Sequence, residues 1–463
     1  MILQFAILVS YLLSSSIGGE LRHESIVLTT EDMTMKNTDL HVFMESIPQL
    51  NRRSDIQKIN RMTSDYVHEV TFVIRQRNML ELTTILNDVS DPASVNYGHH
   101  MTKEEVAALT SNYEARDAVI SHLTASSASF VKETLHGEYV TASAPISVWE
   151  SMFNTQFFMF HQSEDSRTIR KVVRAESYSI PIGLRHHVDG VLNTIQIPPH
   201  SRGNFKKFIG VIGDTEDITL TGSATSFMEP SVLRKFYNVG DTQGSALSTQ
   251  AIFAKDDQHF SPSDLATFQT KFGLPLRKVA KVVGNSSSDG VCRATPDLCD
   301  GGNLDIQYIM AASPVSPTTF WYTDDSWLGW LTSVANTPNP PLVFSISYGQ
   351  EESFVSDAEK DAFNTEAIKL GVMGVTIVAA TGDDGAVGSD VRNHGLDACS
   401  YVAIFPASNP YVTAVGATSV SSVISPNDWT FRCGVLLPHD FTTPHLSSFG
   451  PARATILRKC VDE

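Results

Sequence analysis

Two carboxylates stand where this sequence could do proton chemistry. Asp305 lies in CDGGNLDIQYIMAA (Cys299–Ala312), which reads as a helix start running into apolar residues. Asp383 and Asp384 lie in TGDDGAVG, directly after the apolar run GVTIVAA. A carboxylate can take a proton or orient a second acid-base group. Kept protonated, it can donate a hydrogen bond to developing negative charge. Each also has a plain structural reading. An acid near a helix start faces the positive end of the dipole, and Asp-Gly is a common turn pair. The residues after Asp305 (Ile306, Tyr308, Ile309, Met310) leave few polar positions, so this helix is expected to be buried. A buried carboxylate needs a partner. A second acid on the same face would sit four residues earlier, about 40° around the helix, and that position is Gly301. Asp300 lies about 140° around and is expected to cap the helix.

Other candidates carry less. GVIGD and GAVGSD match neither a phosphate-cradling loop nor a dinucleotide fingerprint. The acids of GDDGAVGSD fail the helix-loop-helix calcium spacing. His99-His100 and His186-His187 have no evident third ligand and read as solvated. The aromatic stretch FWYTDDSWLGW fits a packed core or a substrate-binding wall equally well. The net charge of −17 excludes nucleic acid as the partner, because phosphate binding needs a basic face. Of the five cysteines, Cys292 and Cys299 are the pair expected to form a disulfide if the chain is secreted. Asn285 opens a glycosylation sequon.

The elements that must position these groups change character near residue 200. Beyond it, short apolar runs alternate with helical stretches: FIGVIGD, STQAIFAKD, RKVAKVVGN, TTFWYTD, PLVFSISYG, GVTIVAATGD and YVTAVGATS. Runs apolar on both faces, such as TIVAA, are expected of parallel strands covered by helices. The architecture expected is a doubly wound α/β domain, whose ligands gather at the carboxyl ends of its strands. DAEKDAFNTEAIKLGVMG reads as an amphipathic helix with Ala362, Ala367, Ile368 and Met373 on one side. Before residue 200, alternating runs such as YVHEVTFVI and EYVTASAP share the chain with helical NMLELTTILNDVSD and EEVAALT. They predict an α+β unit over about residues 60–185. IPPHSRGNFKK reads as a linker, and the apolar N-terminus as a secretory signal over residues 1–18. No run is long and apolar enough for a membrane span.

Taken in order, VSDPASVNYGHHMTKEEVAAL, EPSVLRKFYNV, HFSPSDLATFQ, NLDIQYIM, VFSISYG, ATGDDGA and FPASNPYVTAVGATS resemble successive blocks of the sedolisins, the serine-carboxyl peptidases. The resemblance implies a subtilisin-like doubly wound parallel sheet, C-terminally incomplete, preceded by an α+β ferredoxin-like prodomain. It divides the chain into a signal peptide (1–18), an activation prodomain (60–197), a linker (198–207), a partial peptidase domain (208–420) and an atypical tail (421–463). It implies a proenzyme of an acid endopeptidase or tripeptidyl-peptidase, secreted or lysosomal or vacuolar. Its partners would be a peptide or protein substrate and its own prodomain, which is expected to be released at low pH.

In this family a serine attacks the peptide carbonyl, a glutamate takes its proton, and an aspartate orients that glutamate. A further aspartate, kept protonated, serves the oxyanion hole. Asp305 matches the orienting aspartate and Asp383 the oxyanion aspartate. The position of the general-base glutamate is Gly301. The family's nucleophile lies in a Gly-Thr-Ser-Ala-Ser block that this chain is expected to lack. Ser419 belongs to an earlier, structural block and is assigned no role. The family's C-terminal calcium site is likewise expected to be absent. The chain as written is therefore expected to be catalytically incomplete, the alternative being a non-catalytic relative that binds peptides or a peptidase.

Overall fold

The computed structural model describes residues 40–50, 56–163, 169–198, 229–324, 326–383 and 401–416. The expected signal peptide, the linker beyond Pro198, the run FIGVIGD, Asp384, Ser419 and the tail lie outside the described residues. Among the described residues, no helix is long and apolar enough to cross a membrane.

The first part of the chain folds as mixed strands and helices. Its early strands are β1 (His41–Ser46), β2 (Ile56–Arg61) and β3 (Val67–Ile74). Helices α1 (Met79–Ser90), α2 (Lys103–Thr110) and α3 (Tyr113–Ala125) follow. Next come β4 (Ser129–Glu133), β5 (Tyr139–Pro145), α4 (Ile146–Phe153), β6 (Phe157–Ser163), β7 (Ile169–Ala175), β8 (Ser177–Pro181) and β9 (Val188–Leu192). A four-stranded antiparallel sheet runs in the order β4-β5-β3-β9. A core of Val70, Phe72, Val119, Leu123, Trp149 and Phe153 lies between that sheet and helices α3 and α4. Local chemistry supports these elements. At the start of α2, Thr102 and Glu105 form a reciprocal capping box that satisfies two orphan amides.

The second part is built on a parallel sheet. Its elements are α5 (Pro230–Phe236), β10 (Gln250–Ala254), α6 (Pro262–Lys271), β11 (Lys281–Val283), α7 (Asp289–Ala294) and α8 (Asp300–Ala312). They continue with β12 (Thr318–Tyr322), α9 (Trp327–Asn336), β13 (Val343–Ile346), β14 (Gln350–Glu351) and α10 (Asp357–Val372). The last are β15 (Thr376–Ala380), β16 (Ile404–Phe405) and β17 (Thr413–Val415). Six strands pair in the order β11-β12-β10-β13-β15-β17, every pairing parallel.

The two-residue period of a strand explains why both faces are apolar. In β10, Ala251 and Phe253 pack with Trp330, Leu331, Phe363 and Leu370 of α9 and α10. Ile252 and Ala254 point the other way, against Leu265 of α6 and Ile306 and Met310 of α8. Of the two readings of FWYTDDSWLGW, the core is the one observed: Phe320, Trp321, Trp327 and Trp330 are all buried.

Two local expectations are corrected. Asp300 does not cap α8. The N-cap is Cys299, with no side-chain cap bond, and Asp300 is the first helical residue, where it still faces the dipole. Helix α10 is not amphipathic. Beside Ala362, Ala367 and Ile368 it also buries Glu359, Glu366 and Lys369. It is enclosed on two sides. Phe363, Ala367 and Leu370 face the parallel sheet, while Ala362 meets Val73 and Tyr139, and Ile368 and Val372 meet Leu82 and Val106 of the first part.

Candidate active site

Asp305 is the sixth residue of α8, one turn into the helix. Ile306 and Met310 anchor the helix under β10 and β12. This packing aims the carboxylate toward the carboxyl end of β13. There Ser347, the first residue beyond the strand, donates a hydrogen bond from Oγ to Asp305 Oδ1 at 2.9 Å. Burial pushes the Asp305 carboxyl up to about 6, and the bond from Ser347 holds it back. The next residue, Tyr348, donates from its hydroxyl to the backbone oxygen of Lys255 at 3.4 Å. Burial and the nearby Asp305 carboxylate both raise the Tyr348 phenol.

Lys255 follows β10 directly, and β10 is the neighbour of β13. The strand order turns back beside β10, so these side chains gather at a switch point, where open α/β sheets place their ligands.

The glycines before Asp305 differ in what they permit. A Cβ on Gly302 would lie 2.2 Å from the His259 carbonyl oxygen. Only glycine lets α8 approach that backbone. A Cβ on Gly301 would meet only the Gln258 side chain, with Oε1 at 3.2 Å. That amide is tied down, since Gln258 Oε1 accepts from the Gly302 amide at 3.3 Å and Nε2 donates to the Asp297 carbonyl at 3.2 Å. Gln258 thus lies beside the place a carboxylate at position 301 would start from.

Asp383 is exposed, three residues past β15. Because β15 is the parallel neighbour of β13, Asp383 and Asp305 belong to the same end of the sheet. The disulfide Cys292–Cys299 is formed, with an S–S distance of 2.03 Å, and ties α7 to the start of α8. Among the described residues, no group of three or more His, Cys, Asp or Glu could hold a metal ion.

Sequence reasoning singled out Asp305, Asp383 and Gly301 but missed Ser347, Tyr348 and Gln258. The first two had a signal. They end the strand-like run VFSISYG, where a parallel sheet presents its functional side chains. Gln258 had none, since its place beside α8 depends on how the loop after β10 folds back.

Residues 54–197 match the family model described as Pro-kumamolisin, activation domain. The chain is 30% identical over 414 residues to tripeptidyl-peptidase 1 of Dictyostelium discoideum, covering 81% of this chain and 66% of that protein. It is 31% identical over 369 residues to tripeptidyl-peptidase 1 of Pongo abelii, covering 76% and 61%. It therefore spans about two thirds or less of the length of these relatives. Pseudomonas sedolisin (serine-carboxyl proteinase), solved with two molecules of pseudo-iodotyrostatin, is similar over 43% of this chain and 56% of that chain, at 20% identity and a TM-score of 0.33.

Proposed function

The chain belongs to the sedolisin family of serine-carboxyl peptidases, and from that premise we propose that it is a prodomain-bearing acid peptidase by descent whose proton-transfer site is incomplete. In this reading Asp305 is the group that orients a general base, and Ser347 fixes its carboxylate. Asp383 is the oxyanion aspartate. A carboxyl that titrates near 6 suits work in a mildly acidic compartment, which supports a secreted or lysosomal location.

The observation that carries the proposal is Gly301. It stands one helical turn before Asp305, where the base would have to sit, and Gln258 lies beside it. An amide cannot take a proton from an attacking hydroxyl, so the orienting aspartate has nothing to orient. The same glycine favours a second reading, a relative that binds peptides or a peptidase without cleaving them. Calcium is implied by the family resemblance. No described residue is assigned to it, and no step here uses it.

The fold supports the finer family architecture. The strand order around β10, with helices on both faces, supports a subtilisin-like doubly wound sheet. The succession β3-α3-β4-β5-α4-β9, interrupted by β6 to β8, supports a ferredoxin-like prodomain. We assign residues 60–197 to that prodomain and 208–420 to the partial peptidase domain.

The test is incubation of the purified chain with a mixed peptide library at about pH 4.5, read by mass spectrometry. No cleavage above the buffer control is expected. Cleavage that is abolished by Asp305→Asn would overturn the proposal.

A further inference from the structure

One motif in the chain has no part in the acid site. Asn285-Ser286-Ser287 has the form that an oligosaccharyl transferase accepts: asparagine, any residue but proline, then serine or threonine. It lies in the turn between β11 and α7.

We propose that Asn285 carries an N-linked oligosaccharide, added as the chain enters the secretory route. The proposal rests on the secreted or lysosomal location read above and not on any peptidase chemistry.

The backbone around the motif fixes which way its side chains face. The Phe260 amide donates to the Ser286 carbonyl oxygen at 3.0 Å, and the Ser288 amide donates to the Phe260 carbonyl oxygen at 3.1 Å. These two bonds make an isolated parallel bridge between Phe260 and Ser287. They hold the segment extended against the loop between β10 and α6. Successive side chains of an extended segment point to opposite sides. Ser286 is turned inward, with 1% of its surface exposed. Asn285 and Ser287 are turned outward, and both are exposed. The two residues that the transferase reads are thus on one open side.

Exposure matters because a glycan is bulky and strongly hydrated. Burying its hydroxyls without hydrogen-bond partners would cost several kcal/mol on the order of magnitude known for such groups. An asparagine turned inward could not keep a glycan in the folded chain. Asn285 can.

Sheet topology leaves the room. Among the described residues β11 is the end strand of the parallel sheet and pairs only with β12. An interior strand would have a neighbour on each side. Ser347 follows β13, three strands away in the sheet order. That is about 14 Å at the usual strand spacing, so the attachment point stands clear of the Asp305 and Ser347 pair.

A second observation points to the same compartment. Cys292 and Cys299, in the segment that follows the motif, are joined in a disulfide. Such bonds form in the oxidising lumen of the secretory route, where the transferase also works.

The donor is an oligosaccharide joined to a polyprenyl lipid through a diphosphate. Asn285 Nδ2 attacks the anomeric carbon of the first sugar. A nitrogen–carbon bond forms, and the carbon–oxygen bond to the diphosphate breaks. Nδ2 gives up one proton to a base of the transferase. The lipid diphosphate leaves with the electron pair of the broken bond, and nothing is oxidised or reduced.

The test is expression of the full chain in eukaryotic cells, with protein recovered from both cells and medium. Peptides are mapped by mass spectrometry before and after peptide N-glycosidase, which removes the sugar and leaves an aspartate in place of Asn285. The peptide holding Asn285 is expected to gain the mass of whole N-acetylhexosamine and hexose units, and to lose it on digestion. Asn285→Gln and Ser287→Ala are each expected to abolish that gain, and Ser287→Thr to keep it. Ser287→Ala leaves the asparagine in place, so it separates glycosylation from other changes at that residue. Unmodified Asn285 in the unaltered chain would overturn the proposal, as would a gain that persists in Ser287→Ala. The state of Cys292 and Cys299 in the same sample tells which premise failed. If Asn285 is bare and the disulfide is formed, the location stands and the glycan alone fails. If Asn285 is bare and both thiols are free, the location fails with it. Peptide cleavage is not read, so failure of the peptidase reading leaves this result standing.

Discussion

At the scale of single residues, Gly301 and Gly302 are adjacent but answer to different constraints. The His259 carbonyl leaves no room for a side chain on Gly302. Gly302→Ala is therefore expected to destabilise the chain by about 1–3 kcal/mol, the usual cost of overpacking, read as a lower denaturant midpoint. Gly301→Ala is expected to stay within about 1 kcal/mol of neutral, since alanine favours helix over glycine while the hydrogen-bonded Gln258 amide, at 3.2 Å, must give by a few tenths of an ångström. Equal costs at the two positions would mean α8 is placed wrongly. In any longer form that carries a nucleophile, Gly301→Glu is expected to raise peptide hydrolysis in acid by about 10²–10⁴-fold, the worth of a general base. No increase would argue against the alignment of this helix.

At the scale of elements, α10 is enclosed by the parallel sheet on one side and by the first part of the chain on the other. Its sequence mixes charged and apolar residues without a clear stripe, because each side has a different neighbour. The sheet takes Phe363 and Leu370, the first part takes Ala362, Ile368 and Val372, and the buried charges find one another. Its start is fixed by Ser356, whose Oγ accepts from the Glu359 amide at 3.2 Å and also receives Gln196. Ser356→Ala should cost about 0.5–2 kcal/mol through the lost cap. Thermal unfolding measures this, and an unchanged midpoint would show that the cap contributes nothing.

At the scale of the whole molecule, several buried acids tie stability to pH. Glu359 is pushed up to about 7 and Asp305 to about 6, in both cases first by burial. Both carboxyls bind protons more tightly folded than unfolded, so stability rises as pH falls through these values toward their ordinary range. Glu138, held at about 2, loses little over the same interval. Burial holds the His68 imidazole at about 4, so it takes up a proton more readily unfolded and opposes the trend. The chain is expected to be more stable at about pH 5 than at about pH 7.5, by on the order of 1–2 kcal/mol. Denaturation at the two pH values checks this. Greater stability at the higher pH, persisting in a His68→Gln variant, would contradict the burial of these two groups. A molecule so arranged fits an acidic compartment, in line with the proposed location.

Much was legible in the chain alone. The short apolar runs after residue 200 announced parallel strands, because strands covered on both faces need apolar residues at every position. The pair Cys292 and Cys299, Asp305 within α8 and the glycine one turn before it were likewise visible, since each depends on spacing along one segment. Other features required the folded molecule. Ser347 meets Asp305 only because α8 packs beneath β10, the strand next to β13. The buried cluster of Glu138, Tyr139, Glu366 and Lys369 joins residues more than two hundred positions apart in sequence. Local periodicity carries no record of such contacts, so α10 read as a one-sided helix until its second neighbour was seen. What the sequence by itself determined was the run of elements and the identity of the residue at position 301, a glycine one helical turn before Asp305. Which charges are buried together, and at what pH they hold, was decided by packing between segments that no local pattern connects.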